Sequence, residues 1–315
     1  LTSNGMNYQI IGNGSKVVKQ YPNKDNEVII GSKVFIKTNI SSYTLHNVIG
    51  YTKNEIIALC TLLNINYPSK AGLSPDALRE EMDALIQTVE DAGLNAIFFQ
   101  ARPSGDAFYQ SELFPPSAYL TGSQDTPISE EFDPLAYLCE KAHAKNIAVH
   151  AWINPLRAAY GSASSPADLE SLGTRNPARL HPEWVVAYAD GQLYYNAGLP
   201  EVRQLVADGI REVLTKYNVD GVLFDDYFYP YPVSESVFDD ASAYETYGNG
   251  ASLEDWRRSN VNALVELCYQ TVKDVSSDLT FGIAPFGIWQ NDDGENGGSD
   301  TRGLNAYKAI YCDAL

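Results

Sequence analysis

From residue 74 onward the sequence switches repeatedly between a helical and a strand period, and this alternation restricts the fold more than any other feature. Ser74-Pro75-Asp76 puts an N-cap before a proline at the first helical position. Leu78, Met82, Leu85, Ile86 and Val89 then recur on one helical face until Gly93. The apolar run Ala96-Ile97-Phe98-Phe99-Gln100 follows at strand length. The succession returns three times, with helical patterns over 133–145, 200–216 and 253–275. These lead to Ile147-Ala148-Val149-His150-Ala151-Trp152-Ile153, to Gly221-Val222-Leu223-Phe224 and to Leu279-Thr280-Phe281-Gly282-Ile283-Ala284. Short apolar strands separated by helices pair in parallel, because a parallel partner needs a long crossover. The expected fold class is α/β, a barrel of repeated β/α units. Strands near residues 96, 147, 219 and 279 are four of the eight that a closed barrel needs, so the barrel is expected to be incomplete.

Charge divides the chain near residue 67. Residues 1–67 carry six Lys and three acids, whereas the remainder carries 16 basic and 37 acidic residues, a balance of +3 against −21. Two modules, 1–66 and 67–315, are the simplest account. The total of −18 over 315 residues argues against a binder of nucleic acid or anionic membrane, which needs basic surface, and leaves neutral or amphoteric polymers open. Cys60, Cys139, Cys268 and Cys312 stand singly, with no zinc spacing, and read as buried thiols that leave the compartment undecided. No run is long enough to span a membrane, and no signal peptide opens the chain. Leu1 rather than Met comes first, which leaves room for an upstream segment.

Within the first module, Lys16-Val17-Val18-Lys19-Gln20-Tyr21 and the run over 27–36 are β-rich and separated by a polar turn, so they are expected to pair. Ile56, Ile57, Leu59, Cys60, Leu62 and Leu63 then form a helical face, entered through a capping box of Thr52 and Glu55. With Gly12-Asn13-Gly14, Gly31-Ser32-Lys33-Val34 and Val48-Ile49-Gly50-Tyr51-Thr52-Lys53, the segment resembles the PASTA modules of penicillin-binding proteins. The order departs from one complete repeat: the strands would close one repeat and the helix would open another. A partial PASTA-like α+β module is expected there.

The run Asp220-Gly221-Val222-Leu223-Phe224-Asp225-Asp226-Tyr227-Phe228-Tyr229-Pro230 ends a strand in two carboxylates and a cluster of aromatics. Acids at the carboxyl end of a parallel strand read as catalytic, since that end is where the connecting loops converge. Several blocks accompany it: Tyr67-Pro68-Ser69-Lys70, Phe99-Gln100-Ala101-Arg102-Pro103-Ser104-Gly105-Asp106-Ala107, His150-Ala151-Trp152-Ile153-Asn154-Pro155, His181-Pro182-Glu183-Trp184 and Pro200-Glu201-Val202-Arg203. Together they resemble the glycosyl-hydrolase-like family 10 over some 245 residues. The resemblance implies a TIM barrel and hydrolysis of a cell-wall polysaccharide, with peptidoglycan glycan strands the expected substrate. It implies a place outside the cell or at its wall, and no cofactor. Two departures stand out. The family's first strand is replaced by the helix-like stretch 56–63, and the chain stops where a sixth strand is expected, as in a fragment or a chimera.

Glycoside hydrolysis usually uses two carboxyls, one as acid and the other as base or nucleophile. Gly221, Leu223 and Asp225 share one parity, taken as the lumen side, which makes Asp225 the main catalytic candidate. Asp226 points to the opposite face of an extended strand and is not expected to flank the same bond; Asp226 or Asp106 would be the partner. Arg102, His150 and Asn154 are candidates for holding sugar hydroxyls or tuning the acids. Trp152, Tyr227, Tyr229 and Trp289 offer flat faces for sugar rings. The residues over 156–199 are too many for a plain loop and are expected to cover the site or carry subsites. Asn291-Asp292-Asp293-Gly294-Glu295 lacks the spacing of a calcium loop, and no metal is expected. The alternative from another class is a non-catalytic wall-binding protein.

Overall fold

The computed structural model describes residues 7–11, 16–21, 33–38, 72–292, 294 and 297–314. The chain divides into two units, Leu1–Lys70 and Ala71–Leu315. In the first, β1 (Asn7–Ile11), β2 (Val17–Tyr21) and β3 (Lys33–Thr38) form a sheet of order β1-β3-β2. β2 runs antiparallel to β3, so the two runs expected to pair do so, while β1 adds a parallel edge that the sequence reading did not include. The helix expected over 53–63 lies outside the described residues.

The second unit is organised by one parallel sheet. Its strands are β4 (Ala96–Arg102), β5 (Ala148–Ile153), β9 (Gly221–Asp225) and β10 (Thr280–Ala284). They lie in chain order across the sheet, each pair parallel. The crossovers carry α1 (Pro75–Asp91), ahead of β4, then α3 (Pro134–His143), α5 (Pro200–Lys216) and α7 (Leu253–Val275). α2 (Ala118–Thr121), α4 (Pro177–Leu180), α6 (Ala241–Tyr247) and α8 (Ala306–Ala309) are short. Helix starts are where side-chain chemistry puts them. Ser74 accepts from the Ala77 amide, Asp133 from those of Leu135 and Ala136, and Ser252 from that of Asp255.

Strands added always in the same direction, through right-handed crossovers, place every helix on one face of the sheet. Burial follows this winding. Val149, Ala151 and Ile153, with Val222 and Phe224, are buried in a core shared with Leu138, Val206, Ile210, Val213, Leu264 and Cys268 of the helices. On the opposite parity Phe98 is 54% exposed, and His150, Trp152, Leu223 and Asp225 are half-buried. This is the winding of a β/α barrel rather than of a doubly wound sheet. Asp220, just before β9, fastens the other end by accepting from the Val149 amide (2.7 Å) and from His143 Nε2 (2.8 Å).

The connection after β5 folds into a sheet of its own. β6 (Arg157–Ala159), β7 (Val185–Ala187) and β8 (Leu193–Tyr195) are antiparallel in the order β6-β8-β7. Gly161 and Gly191 let two loops of this connection cross closely, since a Cβ at Gly161 would collide with the Gly191 carbonyl.

The loop after β9 is held by a buried ion pair. The Arg257 guanidinium donates to both carboxylate oxygens of Asp240 (2.8 and 2.6 Å) and to the Phe238 carbonyl (3.0 Å). Removing one partner of such a pair strands a charge in the core. Asp240→Ala is therefore expected to lower unfolding free energy by about 3–5 kcal/mol. Asp76→Ala, which breaks an exposed pair with Arg79, should be near neutral. Urea melts of the two variants check this; equal midpoints would contradict it.

Candidate active site

The site begins where β9 stops being a strand. Asp225 is its last residue, and Asp226 adopts a left-handed conformation (φ 48°). Aspartate tolerates that region better than most residues, because its short polar side chain bonds locally. The turn ends the strand's alternation. The expectation that the two neighbouring acids face opposite sides rested on an extended strand, and Asp226 lies just beyond its end. The Asp226 amide donates to Asp225 Oδ1 (3.0 Å), and the charge of Asp226 is felt directly at Asp225. Tyr231 hydrogen-bonds Asp226 and lies in the field of both acids; it is 47% exposed.

Arg157 closes the cluster from the opposite side. Its Nη2 pairs with Asp226 Oδ2 (3.1 Å) and its Nη1 donates to the Pro103 carbonyl (3.4 Å), so the ends of β4 and β9 share one cation. Asn154 explains how Arg157 arrives there. It is buried, and its Oδ1 accepts from the amides of Leu156 (3.3 Å) and Arg157 (2.9 Å), which turns the chain from β5 into β6. Its carbonyl oxygen is thus committed to the backbone and not to a ligand.

The Asp225 carboxyl is held above its ordinary range, first by burial and then by the negative charge of Asp226. The Asp226 amide, Arg157 and a hydrogen bond from the Trp152 indole offset part of the rise. Trp152 stands beside Gln100 and Leu223 in the register, one step below Asp225 on the same face. Asp225, Asp226, Trp152, Arg157 and Tyr231 thus form one group.

Other residues singled out from the sequence lie elsewhere. His150 is level with Gly221, four residues and roughly 13 Å along β9 from Asp225 at ordinary strand rise. There it stacks on Phe98 (4.9 Å) and its Nδ1 meets Thr280 Oγ1 (3.2 Å); burial lowers its pKa. Gly221 makes the room, since a Cβ would sit 2.8 Å from His150 Nδ1. An irregularity in β4 between Gln100 and Arg102 puts Arg102 opposite Ile153, on the helix-facing side. Arg102 is 1% exposed with its guanidinium over the Phe114 ring (4.6 Å), away from the Asp225 group. Asp106 is buried with it, bonded by Gln124 Nε2 (3.2 Å) and Ser117. Burial raises its pKa, and these bonds oppose the rise.

Tyr227 and Tyr229, expected as sugar platforms, are 1% and 3% exposed. Tyr227 Oη lies 3.4 Å from Cys312 Sγ, and Tyr229 packs edge-on against Phe238 and Tyr311. The loop folds back onto α7 through Asp240 and Arg257, which turns these rings inward. Trp289 donates its indole N–H to Asp313 Oδ1 (3.1 Å) and packs on Tyr307. Arg157 and Tyr231 were missed as site residues. The only sequence signal was their place: Arg157 stands two residues after the Asn154-Pro155 block, and Tyr231 directly follows Tyr229-Pro230. A separate cleft of about 430 Å³ is lined by Glu183, Trp184, Asn196, Glu201, Asp239 and Tyr247 among others, none of them from the Asp225 group.

Among the described residues no three or more His, Cys, Asp or Glu side chains are grouped so as to hold a metal ion. No described helix is long and apolar enough to cross a membrane.

Comparison with known proteins shows the family to which the sequence belongs. The family described as glycosyl hydrolase-like 10 matches residues 56–315. The glycosyl hydrolase YngK of Bacillus subtilis (strain 168) is 43% identical over 258 residues, which are 81% of this chain and 49% of that protein. The glycosyl hydrolase DigH of Escherichia coli (strain K12) is 35% identical over 259 residues, 80% of this chain and 57% of that protein. The chain thus spans about half the length of these curated relatives. Among solved structures, α-L-fucosidase isoenzyme 2 from Paenibacillus thiaminolyticus aligns with a TM-score of 0.46 and 15% identity, over 64% of this chain and 29% of that one. TtGalA, an α-galactosidase from Thermus thermophilus, aligns with a TM-score of 0.37 and 15% identity, over 69% and 38%. On the family match and the relatives' identity, this chain belongs to the glycosyl hydrolase-like 10 family.

Proposed function

We propose that this protein hydrolyses glycosidic bonds in a cell-wall polysaccharide, with peptidoglycan glycan strands as the substrate and the outside of the cell, at the wall, as its place. The observation that carries the reading is the pairing of a carboxyl whose pKa is raised, Asp225, with a neighbouring carboxylate, Asp226, held by Arg157. A carboxyl that holds its proton more tightly than usual, with a second carboxyl beside it, is what acid-assisted cleavage of an acetal draws on. In this reading Asp225 gives its proton to the leaving glycosidic oxygen. Asp226, paired with Arg157, faces the positive character that develops at the anomeric carbon, and water then bonds to that carbon and releases a proton that restores Asp225. Trp152 and Tyr231 supply flat faces for sugar rings beside the acids. The wall assignment draws on the first unit, whose sequence resembles a partial PASTA module.

Asp225→Asn keeps the shape of the side chain and removes its proton. It is expected to reduce turnover on denuded glycan strands roughly 10²–10⁴-fold while binding persists. If neither this variant nor Asp226→Asn slows release of reducing ends, the protein binds wall glycan without cleaving it.

Activity that depends on protonated Asp225 falls as pH rises through its pKa, so the alkaline limb of the profile reports that group. Asp226→Asn removes a charge that raises this pKa, and the limb should move to lower pH. A limb that stays in place or moves upward would dissociate it from Asp225.

Trp152→Ala is expected to weaken oligosaccharide binding with the fold intact. Tyr229→Ala, at a buried ring, should instead lower the melting temperature. Calorimetric titration paired with thermal melts separates the two; an exchange of these effects would refute the assignment.

A further inference from the structure

The His181-Pro182-Glu183-Trp184 block takes no part in the Asp225 group and builds an aromatic ledge of its own. His181 stacks on the Trp184 ring, with centroids 3.9 Å apart and planes 11° apart, and Glu183 Oε1 meets His181 Nδ1 (3.0 Å). The Trp184 carbonyl accepts from the Asn196 amide (2.8 Å), which joins the ledge to the chain that enters α5. Contacts within the fold thus hold the Trp184 ring in place. Two clefts meet there. The cleft of about 430 Å³ and a second of about 490 Å³, over Gln204 and Asp208 of α5, share Trp184 and Glu201 in their walls.

The chemistry of the first cleft narrows what it can hold. Its walls carry the rings of Trp184 and Tyr247, the side chains of Asn196 and Thr246, and the exposed carboxylates of Glu201 and Asp239. No Lys, Arg or His is among the residues that line it. Asp240 is committed to Arg257, and Glu183 is held below the ordinary carboxylate range by its own amide and by His181. An anion would meet like charge here with no cation to offset it. A sugar hydroxyl both donates and accepts hydrogen bonds, which suits carboxylates, a hydroxyl and an amide together. The C–H face of a pyranose ring packs on a flat aromatic.

The cleft is tied to the acids by the small antiparallel sheet. Arg157, which pairs with Asp226, begins β6; Val185 and Val186 of β7 line the cleft; and β8 lies between the two strands. Two strand spacings, about 10 Å, therefore separate β6 from the cleft wall. We propose that the cleft at Trp184 is a second saccharide site, which holds an uncharged sugar unit of the same polymer that is cut at Asp225. The ligand class rests on the reading of the protein as a polysaccharide hydrolase. The second site retains the polymer and takes no part in bond cleavage.

The full chain carrying Asp225→Asn, in which cleavage is blocked, is labelled with nitrogen-15 and titrated with the hexamer of N-acetylglucosamine. Trp152, Trp184, Trp256 and Trp289 give separate indole N–H signals. Saturable shifts are expected at Trp184 and at Trp152, with Trp289 unmoved. Adding Trp184→Ala should weaken hexamer binding about tenfold, the cost of losing one aromatic anchor, and leave the Trp152 shift in place. Should that variant fail to fold, Tyr247→Ala, at a ring 36% exposed, should weaken binding in the same way. Oligogalacturonate of the same length, which is anionic, should leave Trp184 unmoved. A shift at Trp152 without one at Trp184 would overturn the second site and leave the cleavage reading standing. A shift at Trp184 alone would support the second site and count against the Asp225 group as a sugar site. Silence at both signals, or an equal response of Trp184 to oligogalacturonate, would overturn the proposal.

Discussion

The one-sided covering of the parallel sheet is the constraint on which the rest of the second unit depends. Because β4, β5, β9 and β10 follow one another in chain and in space, their crossover helices fall on a single face. That face takes the buried parity of β5 and β9, with Val149, Ala151, Ile153, Val222 and Phe224. The other parity is left to polar and half-buried side chains, and Asp225 is among them at the carboxyl end. The position of the acid is thus a consequence of winding direction and strand period, before any contact specific to the site is made.

What turns position into chemistry is a break in that regularity. A left-handed residue at Asp226 stops the alternation, so that two successive carboxylates affect one another and Tyr231. The antiparallel sheet after β5 then delivers Arg157 to only one of them. The asymmetry distinguishes the two acids: one carries a cation at hydrogen-bonding distance, and at the other burial and a like charge outweigh the Asp226 amide, the Trp152 indole and the field of Arg157. Strain of this kind at a strand end is tolerated when the surroundings fix it, and here Asn154 and the Pro103 carbonyl hold the Arg157 that pairs with Asp226.

Much of this was legible in the sequence. The helix starts at Ser74, Asp133 and Ser252 follow from capping chemistry. The four strands follow from apolar runs between helical periods, and the open face from the parity shared by Gly221, Leu223 and Asp225. The failures have local causes. One irregularity in β4 turns Arg102 to the helix side, and no period could announce it. Tyr227 and Tyr229 look like a platform only while the loop is taken as exposed. A pair formed by Asp240 and Arg257, 17 residues apart, pulls it inward. Arg157 reaches Asp226 across 69 residues of chain, a contact that follows from tertiary packing and has no sequence spacing of its own. The helix expected over 53–63, with most of the PASTA-like blocks, falls outside the described residues.

The central claim is that burial, and then the negative charge of Asp226, raise the pKa of Asp225, while Arg157 offsets part of the rise. Carbon-13 NMR titration of the Asp225 carboxyl tests it without reference to any substrate. The account predicts a midpoint above that of an ordinary aspartate in the wild type. It predicts a further rise in Arg157→Met, where the offsetting cation is lost, and a fall in Asp226→Asn, where the neighbouring charge is gone. A wild-type midpoint at or below the ordinary value, or one that neither substitution moves, would contradict it.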